Sequence, residues 1–209
     1  MIVGVLDYGV GNIASVVRAF ELLNCAVKRI DRAADVHGSD ALVLPGVGSF
    51  TECMQILDFG GWSDSIREEA LIGQKPVLGI CLGMQLLSDS GEEGAAADSS
   101  SLGLGLIPGS VQRLSRLGCK ERLPHVGWNS ISIKRDSYLF RGLSDGTDFY
   151  FVHSYAFVPR SLDYQVASTP YGIEVCAAVN NRNICGTQFH PEKSSKAGLT
   201  LLKNFLEQS

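Results

Sequence analysis

A chain of 209 residues, 45% hydrophobic and with a formal charge of −4, has the apolar mass for one folded domain and no basic excess to hold nucleic acid. No apolar run reaches the roughly 20 residues of a membrane span, and residues 1–7 carry neither a basic segment nor a small-residue cleavage site, so they read as a first strand, not a signal peptide. Six cysteines without C-x-x-C spacing exclude a zinc knuckle and a dense disulfide framework, which points to a reducing, cytoplasmic setting.

In chain order, residues 2–6 predict a strand, 12–23 a helix, and 26–30 and 41–44 two further strands. Residues 50–57 and 62–72 have helical patterning, 77–80 is an apolar strand, and 82–87 is a short helix. Continuous Val/Ile/Leu runs joined by helices predict a three-layer α/β fold, a largely parallel central sheet with helices on both faces. Ligands of such sheets sit beyond the carboxyl ends of the strands. Residues 88–101 are small and polar and read as a surface loop. After them come short strand-like runs at 111–114, 129–133, 148–152, 165–168, 175–180 and 183–189, enough for a smaller antiparallel sheet, with a hairpin turn over 180–183. Residues 196–206 predict a closing amphipathic helix whose apolar face is Leu199, Leu202, Phe205 and Leu206. No repeat and no linker divides residues 1–209, so a single domain is expected.

Chemistry concentrates at Gly79-Ile80-Cys81-Leu82-Gly83, directly after an apolar strand. This G-x-C-x-G spacing is the cysteine form of a nucleophile elbow, where glycines make room for a strained turn. The N–H groups of the following helix favour thiolate and can hold an oxyanion. Most of the other cysteines read as small buried hydrophobes. His190-Pro191-Glu192 follows a strand; Pro191 favours extended geometry at His190, and in an extended segment His190 and Glu192 share a side. That supplies the base and orienter of a Cys-His-Glu triad. Pro45-Gly46-Val47-Gly48 reads either as an ordinary turn or as a second source of oxyanion N–H groups.

Two segments leave alternatives open. Gly9-Val10-Gly11-Asn12-Ile13-Ala14 satisfies the G-x-G-x-x-A dinucleotide pattern, with Asp31 at the ribose-binding distance. Leu123–Asn129, with its His125 and Trp128, and the run Phe151–Tyr155 read as core aromatics or as a lined pocket, with His153, Ser154 and Tyr155 favoured as functional. A cysteine peptidase or other acyl hydrolase would use the same triad.

Taken together, Asp7-Tyr8-Gly9-Val10-Gly11-Asn12, Pro45-Gly46-Val47-Gly48, the Cys81 elbow, Pro124-His125-Val126-Gly127-Trp128-Asn129, Val152-His153-Ser154-Tyr155 and His190-Pro191-Glu192-Lys193-Ser194 occur in the order seen in class I, triad-type glutamine amidotransferases, which the chain resembles over nearly its whole length. Within them it is similar to the glutaminase subunits of imidazole glycerol phosphate synthases. The resemblance implies a flavodoxin-like fold and hydrolysis of L-glutamine through a cysteinyl thioester, with Cys81 as nucleophile, His190 as base and Glu192 as orienter. It places the oxyanion between Leu82 and Val47–Gly48. Substrate recognition falls to Gln85 and Glu93 with His153, Ser154 and Tyr155, and no metal or organic cofactor is implied. The implied partner is a (β/α)8-barrel cyclase that receives the ammonia, met by Asn12, Trp128 and Lys193; control is expected at Val47–Gly48 and at this interface. Paralogues in the family feed other acceptors, including surface-sugar pathways. The Ala/Ser-rich loop 94–101 has no match in the family pattern.

Overall fold

The computed structural model describes residues 1–208. The chain runs β1 (Ile2–Leu6), α1 (Ile13–Glu21), β2 (Ala26–Ile30), β3 (Ala41–Gly46), α2 (Phe50–Phe59), α3 (Trp62–Arg67), β4 (Val77–Cys81) and α4 (Leu82–Leu86). It continues with β5 (Ser90–Gly91), β6 (Ser101–Leu102), β7 (Gly109–Arg113), β8 (His125–Ser130), β9 (Ser132–Ile133), β10 (Asp148–His153) and β11 (Tyr155–Pro159). It ends with β12 (Gln165–Pro170), β13 (Glu174–Asn181), β14 (Ile184–Thr187) and α5 (Ser195–Leu206).

An eight-stranded sheet in the order β2-β1-β3-β4-β14-β13-β12-β9 forms the middle layer. The strands from β2 to β14 are parallel, and the remaining three continue the sheet antiparallel. Strands β3 and β4 are buried along their whole length, which is why they read as unbroken apolar runs. Their side chains alternate between two apolar layers. Leu42 and Leu44 pack with Phe50, Leu57 and Trp62 on one face, while Val43, Leu78 and Ile80 pack with Phe20 and Phe205 on the other. Helices α2 and α3 therefore cover one face and α1 and α5 the other, joined by an edge contact between Phe20 and Phe205 at 6.4 Å.

In place of one small sheet there are two. Strands β8 and β10 form an antiparallel ribbon that pairs Trp128 with Tyr150 and His125 with His153. Strands β11-β7-β5-β6 form a second, mixed sheet. The chain passes from one to the other at Ser154, the single residue between β10 and β11. β11 was hidden in the sequence because it follows another strand with no turn residues to separate them. The strand expected over 129–133 starts earlier, at His125, and breaks at Ile131 before β9 joins the main sheet. The helix expected over 62–72 loosens after Arg67 into a wider turn, Glu68–Ile72, where buried Glu69 pairs with Lys75 and His37. In α5 the buried face includes Leu201 besides Leu202 and Phe205, with Leu199 and Leu206 at its margin.

The elbow is built on two close backbone approaches. A Cβ on Gly79 would stand 2.6 Å from the Gly83 carbonyl oxygen, and one on Gly83 would stand 1.8 Å from the Leu44 carbonyl oxygen. Helix α4 is thereby pressed against β3, whose Gly46 lies beside Cys81 in the parallel register. Gly83→Ala is expected to lower stability by about 1–3 kcal/mol, as for other overpacked sites. Gly38→Ala, which meets only the Lys28 Nζ, is the control and should leave the denaturant midpoint nearly unchanged. Equal midpoints for the two variants would contradict this account of the elbow.

Candidate active site

Cys81 sits where β4 ends and α4 begins, with φ 56° and ψ −110°, a backbone conformation that ordinary side chains rarely adopt. The turn lifts its sulfur to the floor of a cleft of about 320 Å³ at the carboxyl end of the parallel strands. That volume is at the small end of ligand pockets, ~300–1,000 Å³. Cys81 is nearly buried, and its sulfur donates to the Val152 carbonyl at 3.7 Å. Burial pushes Cys53 to about 11 and Cys176 and Cys185 to about 12, so these stay thiols.

His190 enters the same cleft from the end of β14. Its backbone is clamped on both sides: its N–H donates to the Tyr150 carbonyl at 2.9 Å, and its carbonyl accepts from Ser194 Oγ at 2.6 Å. Ser194 is fully buried and its Oγ also accepts from the Tyr150 N–H at 3.0 Å. The His190 ring bonds Glu192 Oε1 through Nδ1 at 2.8 Å, with both side chains sealed from solvent. This pairing does not arise from an extended segment, as the sequence suggested. Residues Pro191–Lys193 form a single 3-10 turn, which folds the carboxylate back onto the ring. Burial works against the imidazolium, but the interactions with Cys81 and Glu192 outweigh it and raise His190 to about 9. Its Nε2 is sealed from solvent without a well-formed hydrogen bond, yet the Cys81 sulfur is near enough to raise the ring's value. A loose contact of this kind is common before substrate arrives.

Val47, Gly48 and Leu82 also border the cleft. The Val47–Gly48 stretch is exposed, and Gly48 has φ +96° with open space where a Cβ would be. Beneath it, Cys53 Sγ donates to the Val47 carbonyl at 3.4 Å and Tyr8 Oη donates to the Pro45 carbonyl at 2.9 Å. Gln85, Glu93, His153, Ser154, Tyr155 and Lys193 are also part of the wall. Burial raises the Glu93 carboxyl, with the charge of Glu52 adding to it, against a hydrogen bond from the Phe50 N–H. His153 spends both ring nitrogens inside the protein, on the Tyr155 carbonyl at 2.8 Å and on His125 at 3.0 Å, so it shapes the wall without offering a free polar atom.

Three of the residues singled out lie outside the cleft. Glu192 is behind His190. Asn12 is nearby, sharing with Pro45, His190 and Glu192 about 10 Å³ of free space. Trp128 lies on the outer face of the β8–β10 ribbon, 54% exposed, in edge contact with Tyr150. The turn behind the dinucleotide alternative packs on Pro45 at Gly11 and is open at Gly9.

Sequence reasoning passed over Gln188. It is fully buried, its Nε2 donates to Cys81 Sγ at 3.8 Å, and its Oε1 accepts from Gln85 Nε2 at 2.9 Å. The available signal was its place two residues before His190 on an extended exit from β14, which puts both on one side.

Comparison with known proteins matches this architecture. Residues 4–209 match the family model "Glutamine amidotransferase class-I". "Imidazole glycerol phosphate synthase subunit HisH" of Moorella thermoacetica is 45% identical over 98% of this chain and 94% of that protein. The protein of the same name from Syntrophotalea carbinolica is 44% identical over 96% of this chain and 97% of its own length. A crystal structure of a glutamine amidotransferase superposes with TM-score 0.76 at 21% identity, covering 99% of this chain and 98% of that one, a likeness of fold. The chain belongs to the class-I glutamine amidotransferases.

Proposed function

We propose that this chain is the glutaminase subunit of an imidazole glycerol phosphate synthase, a cytoplasmic enzyme of histidine biosynthesis. The observation that carries the chemistry is one cleft of small-molecule size holding Cys81 on a strained elbow beside His190, with Glu192 buried behind the imidazole. The near full-length likeness to subunits of that synthase carries the pathway.

In the proposed cycle His190 already holds the proton taken from Cys81 as its cation, and the sulfur attacks the side-chain amide carbon of glutamine. The carbonyl oxygen becomes an oxyanion, met by the N–H of Leu82 and by N–H groups of Val47–Gly48. On collapse the C–N bond breaks, and the His190 proton leaves with the nitrogen as ammonia. Water then attacks the thioester, His190 accepts its proton, and glutamate departs as the thiol is restored. Glu192 holds the Nδ1 side of the ring, so the proton that moves is the one on Nε2. Gln85 and Glu93 receive the α-ammonium of the substrate, a role that suits the half-buried carboxyl of Glu93 and the acceptor of an oriented amide.

Ammonia released into water would be protonated and lost, so the product passes to a (β/α)8-barrel cyclase docked over the cleft. Asn12, Lys193 and the exposed face of the β8–β10 ribbon form that docking face. On the ribbon Trp128 and Val126 are both more than half exposed, an apolar pair of the kind interfaces use as anchors.

Two outcomes test the reading. Cys81→Ala should abolish glutamine-dependent synthesis by the two-subunit complex while ammonia-dependent synthesis persists; loss of both with intact assembly would refute the transfer of ammonia between subunits. For pH, His190's value is raised above the ordinary 6.5, so its proton is held below that value and lost as pH rises through about 9. Glutaminase activity should therefore fall on its alkaline limb near 9. Glu192→Gln should move that limb down by about a unit or more, since a one-unit shift matches about 1.4 kcal/mol, the scale of one hydrogen bond to a charged group. An unmoved limb would separate His190 from the titration.

A further inference from the structure

His125 has no place in the triad or on the cleft wall, yet it sits at the centre of a buried hydrogen-bond chain that ends on the substrate side. Its ring is buried, stacked between Phe151 and Tyr171 at centroid distances of 4.9 and 3.9 Å. Its Nδ1 faces His153 Nε2 at 3.0 Å, and its Nε2 faces Asn129 Nδ2 at 3.3 Å. His153 Nδ1 faces the Tyr155 carbonyl at 2.8 Å.

The polarity of this chain is forced from one end. A carbonyl oxygen only accepts, so His153 Nδ1 must carry a hydrogen. Neutral His153 then offers a lone pair at Nε2, and His125 must donate to it from Nδ1. That leaves a lone pair on His125 Nε2, which the Asn129 amide supplies with a donor. The Asn129 amide is itself held the right way round, because its Oδ1 accepts from the Ser130 N–H at 2.9 Å and its Nδ2 donates to the Pro170 carbonyl at 2.7 Å. Protonating either ring would set two N–H groups against each other. Burial holds both rings neutral, with His153 at about 3 and His125 at about 4.

The Tyr155 carbonyl accepts a second bond, from Gln85 Nε2 at 3.0 Å. The other hydrogen of that amide goes to Gln188 Oε1 at 2.9 Å. Both Gln85 donors are thus committed. Its Oε1 has no protein partner among the described residues and is not sealed from the cleft that Gln85 borders. An oxygen presented there accepts from a cationic head group, whereas a flipped amide would present N–H groups and repel one.

We propose that His125 is a positioning residue for substrate recognition: by fixing the tautomer of His153 it anchors the Tyr155 carbonyl and keeps the Gln85 oxygen turned toward the substrate's α-ammonium. The inference rests on the glutaminase reading above and names which feature of glutamine this wall selects. Without the His125 donor, His153 is free to move its hydrogen to Nε2, which leaves Nδ1 and the Tyr155 carbonyl as two acceptors facing each other.

The test uses the full chain and two reagents for Cys81: the glutamine-shaped 6-diazo-5-oxo-L-norleucine, which carries an α-ammonium, and iodoacetamide, which does not. Labelling is followed on the peptide containing Cys81. His125→Phe, which keeps the stacked ring, should slow the glutamine-shaped reagent about tenfold or more, the loss expected for a hydrogen bond to a charged group. The loss should lie in the half-saturating concentration, not the limiting rate, and iodoacetamide should react as before. His125→Asn retains a donor near the Nδ1 position and should recover most of the loss. Equal slowing of both reagents, or no slowing of either, overturns the proposal. A wild-type chain that, with its cyclase partner present, reacts with iodoacetamide but not with the glutamine-shaped reagent would instead sink the glutaminase reading. A second arm needs no variant: nitrogen NMR of the wild-type chain should show His125 and His153 both neutral with hydrogen on Nδ1, and hydrogen on Nε2 of either ring overturns the proposal.

Discussion

The contact on which the rest of the site depends is between two backbones. Gly83 lies so close to the Leu44 carbonyl that no side chain fits between helix α4 and strand β3. This approach fixes the start of α4 against the exit of β3, and so fixes Cys81 and Leu82 against the Pro45–Gly48 loop. A parallel sheet supplies this for little cost, because neighbouring strands end at the same side and their loops converge there. The positive φ of Cys81 is the local strain of the arrangement. It persists because β4 is buried along its whole length, and its neighbours leave the turn no alternative path.

The second organising fact is that the cleft region holds histidines in opposite states. His190 is buried against a carboxylate and a sulfur and is held toward its cation. His125 and His153 are buried against each other, a carbonyl and an amide, and are held neutral. The same desolvation acts on all three; the difference lies in whether an anionic partner is present to outweigh it. One ring is thereby held charged beside the sulfur, while the other two are held neutral within a hydrogen-bond chain. Gln188 and Gln85 connect the two regions, since one amide touches the Cys81 sulfur and the other the Tyr155 carbonyl.

Much of this was legible in the sequence because it depends on local backbone rules. The parallel strands announced themselves as apolar runs, the elbow by its paired glycines, and the pairing of Glu192 with His190 by their places on either side of Pro191. The means of pairing was not legible: a 3-10 turn, not an extended segment, brings Glu192 to His190. The division of the minor strands into two sheets was also hidden, because one residue, Ser154, separates β10 from β11 and no glycine or turn motif marks it. The Asn129–His125–His153–Tyr155 chain depends on the register of β8 with β10, which residue types alone do not specify. Gln188 looked like an ordinary strand-end polar residue until its burial and its partners were seen.

The central claim is that this fold exists to place an acyl-transfer sulfur in a cleft of glutamine size. The most direct measurement is acid quenching of the complex with its cyclase partner during turnover of radiolabelled glutamine, followed by mapping of the label. The account predicts a glutamyl group on the peptide bearing Cys81, released by hydroxylamine as a thioester should be. Glutamate accumulating with no label on Cys81, or with label on another residue, would contradict it.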